Sequence, residues 1–129
     1  MKNFKCTLTE KGIRIEGDAT NIMGDDYRVD RLISYEQQSL PWIKGKAWAE
    51  EQGGTMGTRA FWVEIQKHAD EINEQLTAAG KTTLEGWLWA EEEYSEQEAW
   101  YVAMVSGYTG WSYKSINSRA RAVSAFPSE

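Results

Sequence analysis

The sequence predicts a single α+β domain over residues 1–129, on three observations. The first stretch alternates apolar and polar residues at the two-residue period of strands. The middle repeats apolar residues at three- and four-residue steps, the period of a helix. The last third is dense in aromatic and β-branched residues, broken at short intervals by Ser, Gly and Asn. A chain of 129 residues with 41% hydrophobic residues and seven Trp can bury one core. The expected architecture is an N-terminal β-hairpin and two helices packed on a twisted antiparallel sheet.

Phe4, Cys6 and Leu8 alternate with Lys5, Thr7 and Thr9; Lys11-Gly12 supplies a turn; Ile13 and Ile15 alternate with Arg14 and Glu16. Residues 4–19 therefore read as a hairpin. Residues 21–30, with Gly24-Asp25-Asp26, read as a loop. Asp18, Asp25, Asp26 and Asp30 gather carboxylates but lack the ligand spacing and closing Glu of an EF-hand. A solvated acidic turn is favoured over Ca²⁺, and Asp25 and Asp26 are where a weak metal site would fall.

Residues 40–52 read as a short helix capped by Ser39, with Pro41 in its first turn and Gly53-Gly54 at its end. Trp42, Ala49 and Trp48 would face the core. The glycine-rich segment 53–58 has no Lys to serve as a phosphate loop, so it reads as a flexible turn with Thr58 capping the next helix. Residues 58–79 form the clearest helical pattern: Phe61, Ile65, Ala69, Ile72, Leu76 and Ala79 make a stripe that Trp62 widens, and Gly80 stops it. His68, the only histidine, lies beside that stripe with no Cys or second His near it, which suits a structural or surface role better than zinc.

In the last third, Trp87 and Trp89 share one face of a strand and Leu88 takes the other. Trp100, Val102 and Met104 alternate with Tyr101, Ala103 and Val105, and Ser106-Gly107 closes a hairpin. The run from Tyr108 to Ser118 is rich in Tyr, Trp, Ser, Gly and Asn, the residues that paratopes use. Two readings stand for it. One is a recognition surface of Tyr108, Thr109, Trp111, Ser112, Tyr113, Ser115 and Asn117, joined by Glu91 and Glu92. The other is a strand and turn whose aromatics fill the core. Neither is preferred, since burying Trp111 is compatible with leaving Tyr108, Tyr113 and Asn117 exposed.

The net charge of −6 argues against a nucleic-acid partner. Six Glu lie between Glu85 and Glu98, whereas Lys114, Arg119 and Arg121 are the only charges from Gly107 to Ser128. These two segments are expected to pair with each other. Cys6 is the single cysteine, so no intrachain disulfide forms, and a buried or incidental thiol is the expected role. No apolar run approaches about 18 residues, which excludes a membrane-spanning helix. Lys2 to Lys5 have no apolar segment behind them, so no signal peptide is expected. As it stands the chain reads as cytoplasmic, unless it is a mature fragment or is carried on a larger assembly such as a phage particle.

From Thr58 onward several motifs follow in order: the helix with Ile72-Asn73 and Leu76, then Gly86-Trp87-Leu88-Trp89, Glu93-Tyr94-Ser95, Ala99-Trp100-Tyr101-Val102 and Arg119-Ala120-Arg121-Ala122-Val123-Ser124-Ala125-Phe126. This order resembles the DUF1566-type branch of C-type-lectin-like domains, related to the formylglycine-generating-enzyme (sulfatase-modifying-factor) fold. The resemblance covers residues 58–126. Members carry a pattern like G-W-Y-W-S-S-T-E-Y-S, then A-W-Y-V, a Gly hairpin, a polar aromatic stretch and R-V-R-A-V-R-A-F. Here Ala90-Glu91-Glu92 replaces the Ser-Ser-Thr, and Gly57-Thr58-Arg59 stands where Leu-Pro-Ser is expected.

The resemblance implies a C-type-lectin-like fold without the family's catalytic or calcium chemistry. The cysteines of the formylglycine-generating enzymes, the iron-binding histidines of the sulfoxide synthases and the Glu-Pro-Asn or Trp-Asn-Asp lectin motifs have no counterpart. No enzyme activity, metal or cofactor is therefore expected. Arg121 matches the family's recurrent arginine, and its expected role is structural, holding the acidic segment through Glu93 in a partly buried pair. In receptor-binding relatives from phage and bacteria, the surface corresponding to Tyr108–Asn117 is the recognition site. The implied function is a non-catalytic module, bacterial or phage-borne, that recognises a protein or glycan. The alternative is a small intracellular accessory or inhibitor protein that turns its acidic edge toward a basic partner.

Overall fold

The structure, a computed structural model, describes residues 1–126. Its elements in chain order are β1 (Lys2–Leu8), β2 (Ile13–Thr20), β3 (Asp26–Ile33), β4 (Gln38–Leu40), α1 (Trp42–Glu51), α2 (Arg59–Gln66), α3 (Ala69–Ala78), β5 (Trp87–Glu93), β6 (Glu98–Ala103), β7 (Thr109–Tyr113), β8 (Ser118–Ala120) and β9 (Val123–Ala125). The class is α+β, with two sheets where one was expected. The first runs β1-β2-β3-β9 and the second β4-β8-β5-β6-β7. Every pairing is antiparallel except that of β5 with β8. No helix among the described residues is long and apolar enough to cross a membrane.

The N-terminal hairpin forms as its alternation dictates. Cys6 faces Ile15 and Leu8 faces Ile13 across the ladder, and Thr9 N–H closes the turn on Gly12 O at 2.9 Å. The stretch read as a loop over 21–30 divides: a turn from Asn21 to Asp25, then β3. Sequence pattern hides this strand because its first half is covered only thinly. Asp26, Tyr27 and Arg28 are exposed, and only Val29 and Ile33 are buried in the strand. Backbone pairing with all of β2 holds it extended regardless of side-chain polarity.

Ser39 does not cap α1; it lies in β4, and Pro41 occupies the cap position with no side-chain bond. Trp42 and Ala49 are buried as expected, and Gly53 at φ +86 ends the turn after the helix. Thr58 does cap the next helix, its Oγ1 accepting from Phe61 N–H at 3.0 Å. That helix stops at Gln66, and α3 starts at Ala69, so the single helix expected over 58–79 is two. His68 N–H reaches back only three residues, to Ile65 O, before Ile72 N–H bonds His68 O. The apolar stripe Ile65, Ala69, Ile72 and Leu76 passes unbroken across this kink, which is why periodicity does not reveal it. Ala79, expected in the stripe, is exposed, and Gly80 at φ +69 terminates α3.

The core has two compartments, one on each face of the second sheet. Leu88 and Val102 pack with Trp62, Ile65, Ile72, Leu76 and the first-sheet residues Ile13, Ile15 and Ile33. Trp89 and Tyr101 pack on the opposite face with Trp42, Ala49 and Met56. Leu88 and Trp89 are therefore both buried although they point opposite ways. The last third does not stay in one sheet. β9 crosses to the first sheet, pairing Val123 with Ile33 and Ala125 with Arg31, and Thr55 pins it from the other side through a two-bond bridge to Val123.

Candidate functional site

β7 is an edge strand, and alternation sends its side chains to two faces. Thr109, Trp111 and Tyr113 share a face with their β6 partners Val102, Trp100 and Glu98. Gly110 and Ser112, with Tyr108 leading in, share the other with Tyr101 and Ala99. The candidate residues thus form two neighbouring surfaces around one edge. Trp111, placed inward by one reading of the sequence, is 45% exposed, and Tyr108 and Tyr113 are each 62% exposed. The indoles buried in the core are Trp62 on one face of the second sheet and Trp42 and Trp89 on the other.

On the first face Trp111 stacks on Tyr94 with centroids 4.1 Å apart, and both rings meet Trp100 edge-on at 5.2 and 5.4 Å. The Arg59 guanidinium lies 3.5 Å above Trp100, a cation–π contact that fixes the inner wall of the cluster. Arg59 is the first residue of α2, and its own N–H donates to Glu92 Oε1 at 2.9 Å. Thr109, Arg59 and Glu92 share a shallow depression with Thr20, Asn21 and Tyr27, and Thr109 Oγ1 is buried there without a partner among the described residues.

On the second face Trp87 stacks on Tyr101 at 4.2 Å and 14°, and Tyr108 leans on Tyr101 at 6.3 Å. Asn117 lies apart from the β7 aromatics, in a polar groove of about 490 Å³ with Trp87, Arg119, Gln37 and Ser39. Ser115 is exposed in the turn after β7, and Ser112 is half-buried. Tyr94, Trp100, Arg59 and Trp87 were missing from the sequence-based surface. The alternation of β5 and β6 could have supplied Trp87 and Trp100; nothing in the sequence brings Arg59 to them.

Of the two acidic residues expected to join the rim, Glu92 borders it, in the depression that holds Thr109, and Glu91 turns away from it. Glu92 caps α2, as above. Glu91 opens into a cleft of about 430 Å³ between the first sheet and α2, with Ala19, Tyr27, Val29, Phe61 and Glu64 among its walls. In that cleft the Glu64 carboxyl accepts from the Met1 amino group at 2.8 Å and from Lys67 at 3.2 Å. Burial works against its ionisation, but these two donors outweigh it and hold the carboxyl below its usual range.

Arg121 does not meet Glu93. Its guanidinium is fully buried and donates to Gln37 Oε1 and to the carbonyls of Ser34, Tyr35, Thr82 and Thr83, at 2.9–3.3 Å. Burial draws its pKa down to about 10. Main-chain carbonyls from two loops satisfy this cation where a carboxylate was expected. Glu93 pairs instead with Lys114, at 3.5 Å, and Lys114 Nζ also donates to Glu96 O at 2.8 Å. The acidic and basic segments therefore meet at Lys114 alone among the described residues.

The remaining candidates for chemistry are occupied. The His68 ring stacks on Phe4 at 3.8 Å and 3°, and its Nε2 is buried with no partner among the described residues. Burial, with Glu71 adding to it, pushes the Cys6 thiol up to about 11. Asp30 binds Arg14 through both oxygens, Asp18 accepts from Asn3, and Asp26 accepts from Thr20. No group of three His, Cys, Asp or Glu side chains that could hold a metal ion occurs among the described residues. Compared with protein-family models the sequence matches none, and no curated protein matches it.

Proposed function

We propose that this chain is a non-catalytic binding module, C-type-lectin-like in kind and bacterial or phage-borne, that recognises a protein or glycan through the aromatic rim of β7. The observation that carries the reading is the exposed pair Trp111 and Tyr113 on a strand whose neighbours Tyr94, Trp100 and Arg59 hold Trp111 in one orientation. A large aromatic surface that is already ordered loses little entropy on binding, and binding hot spots draw on such residues. Scattered exposed apolar residues need no function; here Trp111 is in contact with Tyr94 and Trp100, and that contiguity supports the reading.

The acidic segment supplies one end of this surface and no separate face. Glu91 opens to the cleft, Glu92 caps α2 and Glu93 pairs with Lys114. Catalysis draws no support from the single histidine and single cysteine, which lack an activating partner.

The test is a glycan array and a protein array probed side by side with three proteins: the unaltered chain, Trp111→Ala/Tyr113→Ala, and Glu91→Lys. Signals should fall at least about tenfold for the aromatic variant and persist for Glu91→Lys. Signals that survive the aromatic changes unaltered would reject the rim as the recognition surface.

A further inference from the structure

We infer that the outer edge of β7 takes up an extended, lysine- or arginine-bearing peptide segment of another protein as an added strand of the second sheet. This rests on the reading of β7 as the recognition surface and states how that surface would be used.

The register with β6 decides which backbone groups are free. Ala103 N–H donates to Tyr108 O and Lys114 N–H donates to Gln97 O, both at 2.8 Å. Along the antiparallel ladder the inward pairs therefore fall on Tyr108, Gly110, Ser112 and Lys114, and Thr109, Trp111 and Tyr113 turn their N–H and C=O groups outward. Among the described residues, the one main-chain bond to this outward row is Ile116 N–H on Tyr113 O, at 3.1 Å. Thr109 and Trp111 keep a donor and an acceptor each, and Tyr113 keeps a donor.

The other long edge is guarded, and this one is not. β1 carries Lys2 and Lys5 and a register irregularity between them, while β4 is three residues long. Charges, bulges and brevity are the usual protections against strand addition. β7 reads Thr-Gly-Trp-Ser-Tyr, without a charge, a proline or a register shift. Its side chains suit an incoming strand: Trp111 is a fixed wall on one face, and on the other the Tyr101 and Tyr108 rings close over Gly110, so the small Ser112 is the open position. Main-chain bonds would supply affinity, and the alternate side-chain positions selectivity.

Charge names the occupant. At the Tyr113 end lie Glu98, which is the β6 partner of Tyr113, with Glu96 and Glu93, against Lys114 alone. Lys114 is nearly buried, drawn inward to the Glu96 carbonyl and the Trp42 ring. Lys114 answers Glu93, so a basic residue at that end of the added strand meets Glu96 and Glu98, which have no cationic partner among the described residues. A second copy of this chain, itself at −6, would bring like charge.

The experiment selects binders from a display library of random linear peptides, then follows amide hydrogen exchange of the full chain with the tightest synthetic peptide. Selected sequences should be net basic. Saturation should slow exchange at Thr109, Trp111 and Tyr113 by about tenfold or more, with Gly110 and Ser112 already protected in the free chain. N-methylation of alternate peptide amides, which leaves this protein untouched, should weaken binding about tenfold, and so should Glu96→Lys. Slow exchange at Thr109 and Trp111 in the free chain, with a dimer in sedimentation, would overturn the proposal in favour of a second copy. Peptides that lose binding on Trp111→Ala but leave those amides unprotected would overturn strand addition and leave the recognition surface standing. No enrichment above a scrambled control, alongside unchanged array signals for the aromatic variant, would remove both.

Discussion

The indole of Trp111 lies parallel to the ring of Tyr94 to within 1°, so a tryptophan that is 45% exposed is nonetheless held in one orientation. Each ring is the other's support. Trp111→Ala and Tyr94→Ala should together cost less than the sum of their separate effects, with a coupling of about 0.5–1.5 kcal/mol in urea unfolding. Strict additivity would mean that the stack contributes nothing in solution.

Arg121 and Glu93 should behave as strangers. Arg121→Met strips donors from the carbonyls of Ser34, Tyr35, Thr82 and Thr83, and about 3–5 kcal/mol of stability should go with them. Glu93→Gln touches a half-exposed ion pair and should cost under about 0.5 kcal/mol. Denaturant midpoints of the two variants check this directly. Equal losses would restore a pairing between them.

Acid should loosen the fold before the ordinary carboxylates titrate. Burial, then the nearby Met1 amino group, hold the His68 pKa below 6.5, with Glu71 and Glu64 opposing. The unfolded chain takes up this proton first as pH falls. The stability tied to neutral His68 is therefore full above 6.5 and declines as pH drops through it toward the lower folded value. The urea midpoint should fall between about pH 7 and about pH 5.5. His68→Phe, which keeps the stack on Phe4, should flatten that stretch of the profile and leave the later fall, to which Asp30 and Glu64 contribute, in place.

Gly57 and Gly53 test what the glycine-rich turn is for. Both have positive φ, +82 and +86. A Cβ on Gly57 would sit 2.7 Å from Trp62 Nε1, which donates to Met56 O, whereas Gly53 has nothing within 4 Å. Gly57→Ala should cost about 2–4 kcal/mol and Gly53→Ala about 1 kcal/mol, read from thermal or urea unfolding. The turn is shaped by close packing on a tryptophan.

Much of the fold was legible because its signals are local. The hairpin over 4–19, the Thr58 cap and the Gly80 stop each follow from a few adjacent residues. Composition left two readings of Tyr108 and Tyr113, and the structure exposes both. The break at His68 was not legible, since Ile65, Ala69 and Ile72 keep helical spacing on both sides of it. Nor was β3, whose polar outer half is held by its partner's backbone.

The sequence by itself determined the class of the protein and the strands and helices that alternate strongly, and it singled out the β7 segment by its composition. Only the tertiary structure decided that the last strand leaves for the other sheet, that main-chain carbonyls satisfy Arg121, and that Arg59 arrives from α2 to lie on Trp100. Side-chain pattern is written along the chain at periods of two and 3.6, and can be read there. Which distant loop offers a carbonyl, or which face of an edge strand is left open, depends on where segments dozens of residues apart come to rest.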